Sequence, residues 1–246
     1  MLKSIANRRL DAVVWGLSLA AIYAHSDAIV QLMRSVGPFS IGLLEAISLL
    51  AWTLAVLACL IAIERQYRVL SAILLASAAV GATATGSGHK FIVDAAPAWE
   101  LTAHILLSMG AAALLFAAAV TALLLVLLDR RLRSRRIADL PSLLPPLDML
   151  ETVMFRLIGA GFAMLTLALF TGLVFVTNLF AQHLVDKTAL SLIAWVLFGI
   201  LLIGRLRYGW RGRGAVRWTL TGFGVLTLAY FGSKFVLEDL LGRHWG

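Results

Sequence analysis

The chemistry this sequence can offer rests mainly on five histidines: His25, His89, His104, His183 and His244. Imidazole ligates haem iron and divalent metals, and it carries protons near neutral pH. His104 stands about one turn inside a long apolar run, where an ionisable group is costly and marks a functional position by default. Its plainer role would be a hydrogen bond to a neighbouring helix. His89 and His183 fall in connecting segments and read as solvated interface residues. His244 lies in the tail, where a frayed, solvated role is the plain one. Glu45 could pair with a histidine and raise its basicity, or it could sit in water at the interface. The single cysteine, Cys59, rules out a disulfide framework, Cys-x-x-Cys and Cys-x-x-Cys-His, and reads as a small core or lipid-facing residue. No Walker loop and no HExxH occurs, and no spacing assembles a Ser-His-Asp triad. No covalent catalytic step is expected in this chain.

The elements that must hold these residues are apolar. Of 246 residues, 61% are hydrophobic and 14% charged, with mean hydropathy +0.93. A soluble domain carries roughly a quarter charged residues. Seven apolar blocks stand near 11–33, 41–63, 69–86, 99–128, 152–181, 188–204 and 216–237. Most approach the roughly 20 residues that cross a bilayer as a helix. Pro38, Pro97, Pro141, Pro145 and Pro146 all fall between blocks, where proline costs a helix nothing. No run alternates apolar and polar residues at period two. The expected fold is all-α: a polytopic integral membrane helix bundle of about seven transmembrane helices, forming a single transmembrane domain over 1–246. Gly159-x-x-x-Ala163 in the fifth block permits close helix approach. Lys234 and Glu238, four apart, could pair on one helix face. Trp99, Trp210, Trp218 and Trp245 stand at block ends and suit an interfacial belt.

The net charge of +8 is distributed by loop. Lys3, Arg8 and Arg9 precede the first block, and Arg65 and Arg68 follow the second. Arg130, Arg131, Arg133, Arg135, Arg136 and Arg156 surround the connection after the fourth. Arg205, Arg207, Arg211, Arg213 and Arg217 surround the one after the sixth. These are sixteen of the 21 Lys and Arg residues, all on one side of a seven-helix topology. Basic loops stay cytoplasmic, so the N-terminus is expected inside and the C-terminus outside. All five histidines then lie at the outer face. The basic loops are a topology signal and a contact for anionic membrane lipids, not a nucleic-acid module. No cleavable signal peptide is evident.

From about Trp99 onward, particular segments look familiar together. They are His104-Ile-Leu-Leu-Ser108, Leu144-Pro-Pro-Leu147 with Glu151 and Phe155, Leu165-Thr-Leu167 and Thr171-Gly172. Asp186-Lys187, Ala194-Trp195, Gly209-Trp-Arg-Gly-Arg213 with Arg217-Trp218, and Ala229-Tyr-Phe-Gly232 follow. In these the chain resembles the cytochrome c assembly family of membrane proteins, nearest to its short HemX/YpjD-like members, which are related to the haem-handling CcsA and CcmC groups. His25 and Ser48-Leu-Leu-Ala-Trp52 extend the resemblance toward the N-terminus, although one helix of the pattern has no counterpart ahead of the first block.

The resemblance implies a multi-pass protein of the bacterial inner (cytoplasmic) membrane that binds or handles haem at the outer, periplasmic face. It implies non-covalent haem b held between His104 and His244, with His25 as a substitute ligand. Partners would be membrane lipids and other cytochrome c maturation or membrane proteins. Two departures bear on this. The tryptophan-rich outer segment of the haem-handling members is replaced by Thr177-Asn-Leu-Phe-Ala-Gln-His-Leu-Val-Asp186. Ile203-Gly204-Arg205 stands where a transmembrane histidine is expected. Two other functions therefore stay open: a haem-free regulatory or scaffolding subunit, and a small-solute or ion transporter using Glu45 and His25.

Overall fold

Seven apolar blocks become seven α-helices. A computed structural model describes the backbone over 2–36, 43–83, 98–133, 146–175 and 182–232, and side chains over 13–31, 44–83, 99–133, 146–174 and 187–230. The helices are α1 (Leu2–Val36), α2 (Leu43–Ala62), α3 (Arg68–Ala82), α4 (Ala98–Arg133), α5 (Leu147–Phe175), α6 (Gln182–Tyr208) and α7 (Gly212–Thr227). A 3-10 turn, Arg65–Tyr67, precedes α3, and a π-helical turn, Leu228–Gly232, continues α7. No strand occurs among the described residues. A backbone whose polar groups are all satisfied within one segment is what hydrocarbon demands.

Several helices outrun their apolar blocks, for an electrostatic reason. α5 begins at Leu147, just after Pro146, and not near 152. Its first turns carry Asp148 and Glu151, which lower hydropathy but suit the positive end of a helix dipole. α4 runs past 128 to Arg133, and α6 past 204 to Tyr208, each with arginines in the last turn. Among the described residues, five helices are long and apolar enough to cross a membrane: α1, α2, α4, α5 and α6. α3 and α7 are described over 15 and 16 residues, and the π-helical turn carries the path of α7 on to Gly232.

The chain divides into two compact units, Met1–Ala95 and Ala96–Gly246. In the first, α2 packs on both α1 and α3. Ala51, Leu54, Ala58, Leu70 and Leu74 form its core, and Ser71 donates a hydrogen bond to the Ala58 carbonyl at 2.8 Å. Cys59 is buried there too, at 8% exposure.

In the second unit, α4 packs on α5, α5 on α6, α6 on α7, and α7 back on α4, closing a four-helix ring. α4 makes this possible by being alanine-rich: Ala111, Ala113, Ala117, Ala118 and Ala122 are at most 1% exposed. Small residues let backbones approach where no hydrophobic force drives helices together. Gly161 of α5 is a point of close approach, since a Cβ there would fall 2.8 Å from Leu115 Cγ. Gly159 has nothing within 4 Å, and Ala163 is exposed, so the Gly159-x-x-x-Ala163 pair does not make the α4–α5 contact. The contact lies half a turn away, on the face holding Met154, Ile158, Gly161 and Leu165. Between α6 and α7, Gly222 lies flat against the ring of Phe198, 3.0 Å from Cζ for an added Cβ.

Gly161→Leu is expected to lower thermal stability in detergent by about 1–3 kcal/mol through overpacking, while Gly159→Leu leaves the melting temperature nearly unchanged. Equal effects would overturn the assignment of the helix contact to Gly161.

Candidate functional site

His104 sits in the second turn of α4 and reaches across to α5. Its Nδ1 lies 3.1 Å from Thr171 Oγ1. The Thr171 hydroxyl proton is directed at the carbonyls of Leu167 and Ala168, at 2.9 and 3.0 Å. The oxygen is therefore left to accept, and Nδ1–H of His104 donates to it. That bond selects the tautomer in which Nε2 keeps its lone pair. Gly172 makes room for the ring, since a Cβ there would stand 3.1 Å from His104 Cε1.

The imidazole lines a cleft of about 260 Å³ at one end of the four-helix unit. Ile105, Met109, Leu165, Leu169, Leu173 and Ala229 form apolar walls. Ser108, Lys187, Thr188, Ser191 and Tyr230 supply polar groups. Tyr230 belongs to the π-helical turn, and its hydroxyl comes within 3.5 Å of the Ser108 carbonyl. Such turns concentrate at functional positions, because the wider backbone re-aims a side chain.

The other sequence candidates divide. His25 lies in the first unit, on α1, where its Nε2 is 2.9 Å from Ser48 Oγ of α2. One residue on, Ser26 accepts from Trp52 Nε1 at 2.8 Å and donates to the Ile22 carbonyl at 2.7 Å. His25, Ser26, Ser48 and Trp52 thus form a polar seam joining α1 to α2. His89 and His244 lie outside the described residues, as do Trp245, Lys234, Glu238 and residues 177–181. His183 falls within α6, but its side chain is not among those described. Glu45 departs from its expected place in interfacial water. It is 8% exposed, with Oε2 lacking a partner among the described residues.

At the opposite end of the four-helix unit, arginines gather. Arg205 of α6 pairs with Glu151 of α5 at 3.0 Å, donates to the Trp210 carbonyl at 3.2 Å, and stands 4.7 Å from the Phe155 ring centroid. Glu151 also accepts the Gly212 N–H at 3.3 Å, capping α7. Asp129 of α4 accepts from Arg133 and, through two nitrogens, from Arg213 of α7. The Gly209–Gly212 turn that permits this has φ +65° and +61° at its two glycines, a region that favours glycine. Trp210 folds back so that its N–H reaches the Gly204 carbonyl at 3.1 Å, and its indole covers Gly204 and faces Trp218 at 5.7 Å. Trp210 therefore locks a turn, beyond the belt role its position implied.

Nothing in the spacing announces Thr171, Tyr230 or Glu151 as partners of these groups. Their only signal is membership in the segments that carry the family resemblance.

Among the described residues, no cluster of three or more His, Cys, Asp or Glu could hold a bare metal ion. A haem iron asks for less: one imidazole nitrogen per axial position. His104 fits that requirement, because Nε2 carries the lone pair while Nδ1 is held by Thr171. The cleft is smaller than the about 300–1,000 Å³ of most small-molecule sites. A whole tetrapyrrole exceeds it.

The chain is 35% identical over 200 residues to the inner membrane protein YpjD of Escherichia coli K12, covering 81% of this chain and 76% of that one. It is 40% identical over 152 residues to a 28.8 kDa protein from the nifR3-like 5' region of Azospirillum brasilense, covering 60% and 55%. It is 30% identical over 124 residues to the cytochrome c biogenesis protein CcsA of Rippkaea orientalis, covering 48% and 36%. No solved structure matches. The profile of the cytochrome C assembly protein family matches residues 40–241, and the chain belongs to that family.

Proposed function

We propose that this cytochrome c maturation-type, multi-pass inner-membrane protein binds or handles haem at the outer face of the membrane. The observation that carries the proposal is the His104–Thr171 pair, which presents an unprotonated Nε2 beside an apolar cleft. His104 and His244 would hold the iron of haem b, with His25 as the substitute. The iron would supply a bis-imidazole centre typical of bound or transiting haem b. Thr171 orients the ring and raises its basicity, as a hydrogen-bond partner behind a metal-ligating histidine does. Gly172 leaves the ring its space. Attachment of haem to protein belongs to a partner and to an apocytochrome that carries the cysteines.

The topology proposed is seven crossings with the N-terminus in the cytoplasm. Its support is the segregation within the four-helix unit. Arg130, Arg133, Arg205, Arg213 and Arg217 gather at one end, and His104 and Tyr230 stand at the other.

A haem-free regulatory or scaffolding role is favoured by one observation, the missing tryptophan segment. The transporter alternative would use Glu45 and His25 of the first unit, and the described residues of the four-helix unit add no polar path to it. The middle of the four-helix unit is filled by Leu115, Ile158, Phe198 and Leu201, all fully buried. The buried hydroxyls of Thr121 and Thr219 are bonded to carbonyls of their own helices.

The visible spectrum of the detergent-purified protein tests the proposal. A sharp Soret band with reduced α and β bands is expected, lost in both His104→Ala and His244→Ala. Thr171→Val is expected to keep the band while haem affinity falls about 10-fold or more. A colourless protein that takes up no added haemin would sink the haem role and leave the scaffold. Orientation is tested separately in a Cys59→Ala background. Arg211→Cys should resist an impermeant maleimide in intact spheroplasts and react in inverted vesicles; the reverse pattern would invert the topology.

A further inference from the structure

The arginine end of the four-helix unit holds a second cleft, larger than the first at about 600 Å³, between α4, α5 and α7. Its two carboxylates are already committed. Asp129 is shared by Arg133 and Arg213, and Glu151 by Arg205 and the α7 N-terminus. Two further arginines, Arg130 and Arg217, line the same cleft, and neither has an ion-pair or hydrogen-bond partner among the described residues. The floor between them is apolar, formed by Leu125 and Val216, at 8% and 5% exposure.

The placement of these two cations says what would satisfy them. On α4, Arg130 follows Leu123 and Leu127, which are 51% and 54% exposed. On α7, Arg217 heads the exposed series Thr221, Gly224 and Leu228. Positions three or four apart share one helix face, so each arginine crowns an outward stripe of its helix. α4 and α7 pack against each other, with Phe116 edge-on to Phe223 at 5.7 Å. Two adjacent outward stripes running up to two unpaired guanidinium groups over an apolar floor match an amphiphile with an anionic head. A soluble anion would use the arginines alone, whereas a lipid already lying along the two helices brings its phosphate to them.

We propose that this cleft is a binding site for an anionic phospholipid, its phosphate held between Arg130 and Arg217 and its acyl chains laid along α4 and α7. Guanidinium matches phosphate through paired N–H donors, which ammonium does not. The site stands independently of the haem role, since it shares no residue with the His104 cleft.

The test is lipid retention by native mass spectrometry, together with thermal stability in detergent. Protein would be titrated with phosphatidylglycerol or with zwitterionic phosphatidylcholine. Wild type should retain phosphatidylglycerol and gain melting temperature. The Arg130→Gln/Arg217→Gln double variant should bind it roughly 10-fold or more weakly, and Arg207→Gln, outside the cleft, should match wild type. Equal retention of the two lipids by wild type would overturn the proposal, as would equal phosphatidylglycerol affinity in the double variant. Inorganic phosphate at millimolar concentration is expected neither to stabilise the protein nor to displace the lipid. Stabilisation by phosphate alone would assign the cleft to a soluble anion and overturn the lipid assignment. Since both arginines are exposed, the double variant should fold, and the phosphatidylcholine arm reads the wild type alone if it does not.

Discussion

Hydrocarbon has no hydrogen bonds to offer, so each polar side chain of a membrane bundle must find its partner within the protein. Among the described residues this is met in two ways. Thr53, Ser77, Thr121, Thr166, Thr219 and Thr227 return their hydroxyl protons to the carbonyl four residues back. Such groups cost little and carry no information between helices. Others bond across helices: His25 with Ser48, Trp52 with Ser26, His104 with Thr171, Trp195 with Thr166, Arg205 with Glu151, and Arg213 with Asp129. Within the four-helix unit, His104, Tyr230 and the ion pairs stand at the ends, leaving the middle to alanine, leucine and glycine.

This division explains how one small unit can carry two chemistries. At one end, a threonine whose own proton is already spent turns a histidine into a one-sided acceptor. At the other, two carboxylates collect arginines from different helices and fasten α5 to α6 and α7 to α4. Ion pairs that are partly exposed are individually weak. Arg205 is the exception: its side chain is 22% exposed, that of Glu151 15%, and both make further contacts. The packed alanine face of α4 lies between the two ends.

Much of the architecture is legible in the sequence because hydropathy acts over twenty residues at a time, long enough to average out local exceptions. The seven blocks each hold a helix, and Pro146 marks the start of α5. The ends were less legible. Asp148, Glu151 and Arg130 lower hydropathy yet belong to helices whose dipoles they complement. Helix phase was harder still, since Gly159 and Gly161 are equally visible as small residues and only the fold shows that Gly161 meets Leu115. For the candidate site, His104 stood out by its intrusion into an apolar run, but its partner is 67 positions away and no local pattern leads there. The i,i+4 pair Asp129–Arg133 is of the kind a sequence displays; Glu151–Arg205 is not. Glu45 shows the limit, for a carboxylate near a helix start usually meets water, and here the packing closes over it.

The Gly209–Gly212 turn makes one mechanical piece of two helices. Three residues, Gly209 to Arg211, separate α6 from α7, and the flanking groups are tied to one another: Trp210 to Gly204, Arg205 to the Trp210 carbonyl, and the α7 N-terminus to Glu151. Two helices joined so tightly act as one stiff hairpin, packed side by side along their length. A shift of α6 along its axis would drag the first turn of α7 with it. Lengthening the turn would release the α7 N-terminus from Glu151 and uncouple the two.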